Sequence, residues 1–344
     1  MSDNKKKKSA SDEPRPRAFK EREMINPTTG AYEKVRDLHR DAIGIFVKSE
    51  EEKKKERDRE FFKYRARKLQ FIQFNRTMSE ICGQLKQSEF HSFMKVIPYV
   101  GYKDQLIMVP TKKKEDGETV TTTATATLLY AFWGVGKSTG FRYLSRFIEL
   151  GLFEEVPGKG RTKHYKATGK LFFKGKNGTD EFTVKVFQRK LKEIIENVDI
   201  EIQKFKNRKR SKKEIELYPL SILGALIPYF HFETFCAVKN FDEKVEIPEG
   251  QNLVHVLKEN PNVMKHLKKT EVWRLATGLD SKPGAHQLKI FDTNLEILFR
   301  AGAVLTKRGK KTIFLIHPDL LFVSPEIRDK DYYDYVLSDF TQTS

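Results

Sequence analysis

The stretch Ala126-Thr-Leu-Leu-Tyr-Ala-Phe-Trp-Gly134-Val-Gly-Lys137-Ser-Thr-Gly-Phe-Arg142-Tyr-Leu-Ser-Arg146-Phe-Ile-Glu-Leu-Gly151 decides how the chain is read. Leu128, Leu129, Ala131 and Phe132 give a short helix its apolar face, and Gly134 to Gly136 breaks it. Lys137-Ser-Thr139 opens a second helix with hydroxyls available to cap its free amides. Phe141, Leu144, Phe147 and Ile148 recur along it at helical spacing, and Gly151 stops it after Leu150. Leu152, Phe153 and Val156 then predict a strand, Pro157 to Arg161 a glycine-rich basic turn, and Lys163 to Ala167 a return strand. Helix, turn, helix and hairpin in this order predict a winged helix-turn-helix.

Such a unit would place the second helix in the major groove of duplex DNA, with Lys137, Ser138, Thr139, Arg142, Tyr143 and Arg146 on its outward side. Arg142 and Arg146 lie one turn apart, so one can reach a guanine edge while the other meets a phosphate. On the hairpin, Lys159, Arg161, Lys163 and His164 have the chemistry for phosphate or minor-groove contact. Ten Lys or Arg face three acidic residues between Lys137 and Lys176. The plainer alternative makes these solubilising charges on a domain that contacts protein. Ala131 to Ser138 also fits a relaxed phosphate loop. That loop needs a buried strand before it, and Thr121 to Thr127 is a poor one, so a nucleotide site is not expected.

Farther along, the layout repeats. Ile-Pro-Tyr stands at 97 to 99 and again at 227 to 229. Thr270 to Thr277 predicts a short helix, Gly278 to Gly284 a turn with Pro283 near the next helix start, and Ala285 to Arg300 a longer helix before Gly302. Val304 to Ile316 reads as strand, basic turn and strand. This predicts a second winged module with Ser281, Lys282, His286, Gln287 and Lys289 facing a groove and Lys307, Arg308, Lys310 and Lys311 on its wing. The rival role for that helix is contact with the first module.

The expected organisation is a basic, largely flexible tail at 1–60, with a hairpin or loop at Met24 to Val35 and a charge run at Glu50 to Glu60. A first winged-helix domain at 61–178, a helix and basic linker at 179–214, a second winged-helix domain at 215–326 and a tail at 327–344 follow. Within the first domain, Leu69, Ile72, Met78 and Ile81 sit at helical spacing, and the threonine-rich span 112–125 reads as a surface loop. Val184, Phe187, Leu191, Ile194, Val198 and Ile202 predict a helix over 182–206 that either packs on a neighbouring domain or forms a homodimer seam. Lys204 to Lys213 holds seven basic residues in ten, and a nuclear-localisation reading needs a nucleus that the sequence does not reveal. The predicted class is thus mainly α with small β-hairpin wings, in two winged helix-turn-helix modules.

Composition narrows the partners. With 344 residues, 38% hydrophobic and 26 Phe, about two cores can close, so a fully disordered chain is excluded. No apolar run approaches the roughly 18 residues of a membrane helix, and Met1 to Lys8 has no apolar segment behind it. A soluble, cytoplasmic protein without membrane contact is expected. Cys82 and Cys236 are too few for a disulfide framework or a zinc cluster, and the histidines are scattered, so no metal or cofactor is expected. His231 stands alone and Tyr332-Tyr-Asp-Tyr335 has no visible metal partner, so no catalytic residue is assigned and an enzyme is not expected. A net charge of +18 and a pI near 9.6 suit a polyanion.

Over roughly residues 20 to 176 the chain resembles the winged-helix plasmid replication initiators of the RepL type. The resemblance rests on Ile25-Asn-Pro-Thr-Thr-Gly30, Leu85-Lys-Gln-Ser-Glu-Phe90, Gly134 to Gly140, Leu144 to Leu152, and Gly160-Arg-Thr-Lys-His-Tyr165 with Leu171 to Gly175. It implies origin binding and recruitment of host replication proteins, without nuclease activity. The apparent second module departs from that family and is similar in layout to tandem winged-helix initiators. The expected function is sequence-specific binding of double-stranded DNA by a plasmid or phage-type replication initiator, with a transcriptional regulator as the alternative.

Overall fold

The computed structural model describes residues 19–25, 32–38, 50–68, 70–102, 105–113, 119–174, 183–208, 216–308, 311–322 and 329–341. The chain divides into two compact units, Met1–Lys54 and Lys55–Ser344. In the first, β1 (Phe19–Ile25) pairs antiparallel with β2 (Tyr32–Leu38), Phe19 opposite Leu38 and Ile25 opposite Tyr32. Of the two readings of Met24 to Val35, the hairpin is the one observed.

Helix α1 (Glu50–Lys68) leads into the second unit. Its first half there runs β3 (Phe71–Asn75), α2 (Met78–Cys82), α3 (Gln87–Val96), β4 (Met108–Lys113), β5 (Thr119–Thr123), α4 (Ala126–Trp133), α5 (Lys137–Glu149), β6 (Phe153–Pro157), β7 (Lys163–Ala167) and β8 (Phe172–Phe173). The second half runs β9 (Thr183–Phe187), α6 (Gln188–Arg208), α7 (Pro219–Leu226), α8 (Leu253–Glu259), α9 (Lys269–Thr277), α10 (Ala285–Arg300), β10 (Val304–Arg308), β11 (Thr312–Ile316), β12 (Leu321–Phe322) and α11 (Lys330–Thr341).

This architecture corrects the expectation of a mainly helical pair of winged helix-turn-helix modules. Among the described residues there are five small antiparallel sheets, and the largest, ordered β12-β9-β3-β8, takes two strands from each half. β3 and β9 pair at its centre, with Phe71 opposite Phe187, Gln73 opposite Lys185 and Asn75 opposite Thr183. Two halves that share one sheet are not modules on a linker. The spacing of Ile72 with its neighbours misled because β3 is buried on both faces. Five residues are too few for a strand's period to be told from that of a helix, and burial of Gln73 and Asn75 hides the polar face that would mark one. Val184 and Phe187 likewise belong to strand β9, and the helix begins only at Gln188. The threonine-rich span expected as a loop pairs as β4 with β5, which suits β-branched side chains.

The repeat suspected from Ile-Pro-Tyr is visible in these elements. Helices α3 and α7 each run into a 3-10 turn, at Ile97–Tyr99 and Ile227–Tyr229. α4 and α9 each end on a glycine in the left-handed region, Gly134 with φ 68° and Gly278 with φ 67°, where a Cβ would be strained. α3 packs on α7 through Phe90 and Gly224, where a Cβ at residue 224 would lie 2.5 Å from the Phe90 ring. Phe90, Phe93, Phe147, Phe153 and Phe172 are fully buried around this contact, each contributing about 1.5–3 kcal/mol by leaving water.

The segments at both ends of this unit are also structured. The charge run after Glu50 is helical, and Phe61 and Phe62 of α1 meet Tyr333 of α11 edge-on at 6.1 and 5.5 Å. Residues 330–341, expected as tail, are the packed helix α11, with Tyr332, Tyr333, Val336 and Phe340 buried. No helix among the described residues is long and apolar enough to cross a membrane.

Candidate nucleic-acid interface

Helix α4 and helix α5 meet where Gly140 faces Tyr130, since any Cβ on residue 140 would run into that ring. Thr125 caps α4 by accepting from the Leu128 amide at 3.4 Å. This close crossing turns α5 so that Gly140, Tyr143, Leu144 and Phe147 point inward. Lys137, Ser138, Phe141, Arg142 and Ser145 are exposed, at the i, i+3, i+4, i+7 spacing of one face, and Thr139 is half-buried beside them. The outward reading of Tyr143 is therefore corrected. It is 5% exposed and packs against Trp133 and Phe147, while Phe141, expected in the core, is 65% exposed. Leu144 and Phe147 are buried as read, and only Phe141 and Tyr143 exchange places, because both aromatics lie within one turn of Leu144.

Arg146 is half-buried and engaged at home: it pairs with Glu149 at 2.9 Å and donates to the Gln84 carbonyl at 3.2 Å. Its expected role beside Arg142 is corrected to an anchor between α5 and the turn before α3. Arg142 lies over the edge of the Tyr143 ring at 5.8 Å and makes no ion pair among the described residues.

On the β6–β7 hairpin the exposed Lys159 and Arg161 flank Gly160 at the tip. Lys163 is tied across the strands to Glu155 at 2.5 Å, and Lys166 to Glu154 at 2.6 Å. With Glu149 on Arg146, each of the three acidic residues of this region holds one cation. His164 packs against Gly158, where a Cβ would sit 2.6 Å from the ring, and its Nδ1 is buried without a hydrogen-bond partner. It is a wedge inside the hairpin rather than the phosphate ligand expected. Burial, helped by Glu155, pushes the Tyr165 phenol up to about 12, so it stays neutral behind these charges.

In the second half, Ser281, Lys282, His286 and Lys289 are exposed around the start of α10, and Gln287 accepts from the Gly284 amide at 2.8 Å as part of the helix cap. Pro283 is buried just before that cap. The hairpin lysines expected to face DNA are occupied: Lys307 pairs with Asp339 of α11 at 2.6 Å and Lys311 donates to Asn262 at 2.8 Å. The side chain of Arg308 and all of Lys310 lie outside the described residues. A C-terminal helix laid against this hairpin is what sequence periodicity missed.

The segment before Lys137 is helix α4, so the strand that a phosphate loop requires is replaced by a helix. His231 is fully buried, its Nε2 2.7 Å from the Glu243 carbonyl and its Nδ1 accepting from the Glu233 and Thr234 amides. Cys236 is buried, with its thiol pushed up to about 11. Among the described residues no group of three or more His, Cys, Asp or Glu is placed to hold a metal ion. Comparison with protein-family models, curated proteins and solved structures returned no match.

Proposed function

We propose that this protein binds double-stranded DNA with sequence preference, through the outward stripe of α5 and the tip of the β6–β7 hairpin. The observation that carries this reading is the stripe itself: Lys137, Ser138, Phe141, Arg142 and Ser145 form one exposed face of a 13-residue helix. A major groove admits one helix, and these side chains supply a base-edge donor, an apolar contact and hydroxyls. Lys159 and Arg161 at the hairpin tip add charge for phosphates, and a net +18 supports a polyanion partner over an acidic peptide.

The role of origin-binding replication initiator rests on the RepL-type resemblance and is tested apart from DNA binding. Selection of bound duplexes from a random library, followed by footprinting on DNA flanking the gene, tests the binding. A flanking region that then maintains a plasmid only with Arg142 intact supports the initiator role. A region that changes promoter output without maintaining a plasmid favours a transcriptional regulator. Failure to select any duplex overturns the binding itself.

A further inference from the structure

We infer that the second half carries a binding site for a small apolar anion, in the open cavity between α8, β11 and α11. The cavity measures about 550 Å³, within the range of small-molecule sites. Leu257 of α8, Met264 after it, Leu315 of β11 and Tyr332 of α11 supply its apolar wall.

The charged side chains that line it are basic: Lys258, Lys307 and Lys311, of which Lys307 is paired with Asp339 of α11. Lys311 holds only the neutral amide of Asn262, and Lys258 makes no ion pair among the described residues. His266 adds an imidazole whose Nδ1 is buried with no hydrogen-bond partner. An apolar chamber bordered by two solvent-exposed ammonium groups, neither in an ion pair among the described residues, suits a carboxylate or sulfonate on an acyl or aromatic body and disfavours the corresponding amine.

The repeat supplies an independent reason to regard the chamber as built. Between its 3-10 turn and its helix pair the first half has the β4–β5 hairpin, whereas the second half has α8 and its loops. Among the described residues no helix like α11 follows β8 before β9 begins. Of the elements that wall the cavity, α8 stands where the first half has a hairpin, and α11 has no counterpart among the described residues.

Dodecanoate and dodecylamine, titrated below their micelle concentrations into the full chain by calorimetry, test the site. Dodecanoate is expected to bind one per chain and dodecylamine at least tenfold more weakly. Lys258→Glu with Lys311→Glu should weaken dodecanoate at least tenfold, and Leu257→Trp should abolish its binding by filling the chamber. Where Leu257→Trp lowers the melting temperature, Val254→Phe, on the half-exposed side of the same wall, replaces it. Equal binding of acid and amine, binding that survives a filled chamber in a folded variant, or no binding by the wild type would each overturn the inference.

Discussion

Arg76 and Gln188 make the same grip from opposite halves of the molecule. Arg76 follows β3 and donates to the carbonyls of Pro228 and Phe230, the latter at 3.0 Å. Gln188 follows β9 and its Nε2 donates to the carbonyls of Pro98 at 3.0 Å and Val100 at 3.3 Å. Each half's central strand thus ends by holding the other half's Ile-Pro-Tyr turn. The guanidinium also stacks 3.6 Å from the Phe241 ring centroid, and burial pushes its pKa down to about 9, opposed by Asp242, so it remains charged at neutral pH. Removing either donor with the halves still closed would leave buried carbonyls without these hydrogen bonds.

Gln188→Ala should therefore lower stability by about 1–3 kcal/mol, and Arg76→Ala by more, because its hydrogen bonds are charge-assisted and its stacking is lost as well. Gln188→Glu should be worse than Gln188→Ala, since it turns a carboxylate toward two carbonyl oxygens. Urea denaturation of the three variants checks this. A wild-type midpoint for Gln188→Ala would show the grip to be inconsequential.

The inverted pair on α5 gives a sharp contrast. Tyr143→Ala should cost about 3–5 kcal/mol by leaving a hole beside Trp133 and Phe147, whereas Phe141→Ala should change stability by less than about 0.5 kcal/mol. In duplex binding the order reverses: Phe141→Ala in a fully folded protein should weaken binding and relax preference at one position, as for an aromatic on a thymine methyl. Thermal melting and library selection on the same preparations read the two effects.

Among the cations, Arg142→Ala should cost about 1–3 kcal/mol on the selected duplex, whereas Lys159→Ala should weaken all sequences alike and reduce the salt slope by about 1. Lys163→Ala should weaken binding less than Lys159→Ala does, because Lys163 is already paired with Glu155. A binding constant indifferent to salt would argue for a protein partner.

His91 makes the fold sensitive to acid. Its Nδ1 accepts from the Leu220 amide at 3.3 Å across the α3–α7 contact, and burial, with Lys95 nearby, pushes its pKa down to about 3. An unfolded histidine titrates near about 6.5, so below that pH the unfolded chain binds a proton that the native site refuses. The neutral ring's contribution is complete above about 6.5 and is lost progressively toward about 3. From pH 7.5 to 5 it removes about 2 kcal/mol. Denaturation across this range should show that loss in the wild type and less of it in His91→Gln, whose amide oxygen keeps the Leu220 bond.

Much of the local structure was legible in the chain. The helices at 126–133, 137–149 and 285–300 and the return strand at 163–167 follow from apolar period and glycine stops, which are properties of neighbouring residues. The repeat was legible through Ile-Pro-Tyr and the glycine stops at Gly151 and Gly302. The candidate interface was only half legible: Lys137, Ser138, Arg142, Lys159 and Arg161 are exposed as read, while Tyr143, Arg146, His164 and Lys307 are engaged inside the fold. Period says that one face is buried. It does not say which of two aromatics two residues apart, Phe141 or Tyr143, lies on that face.

What the amino-acid order determined alone was the two helix pairs with the hairpin after each, the basic charge and the Ile-Pro-Tyr repeat, because each is set within a few residues or by composition. Tertiary structure alone decided that β3 would pair with β9, that α11 would lie against the second hairpin, and which cations would meet a carboxylate. These contacts join residues far apart in the chain, and their free energy depends on what the rest of the fold has already removed from water.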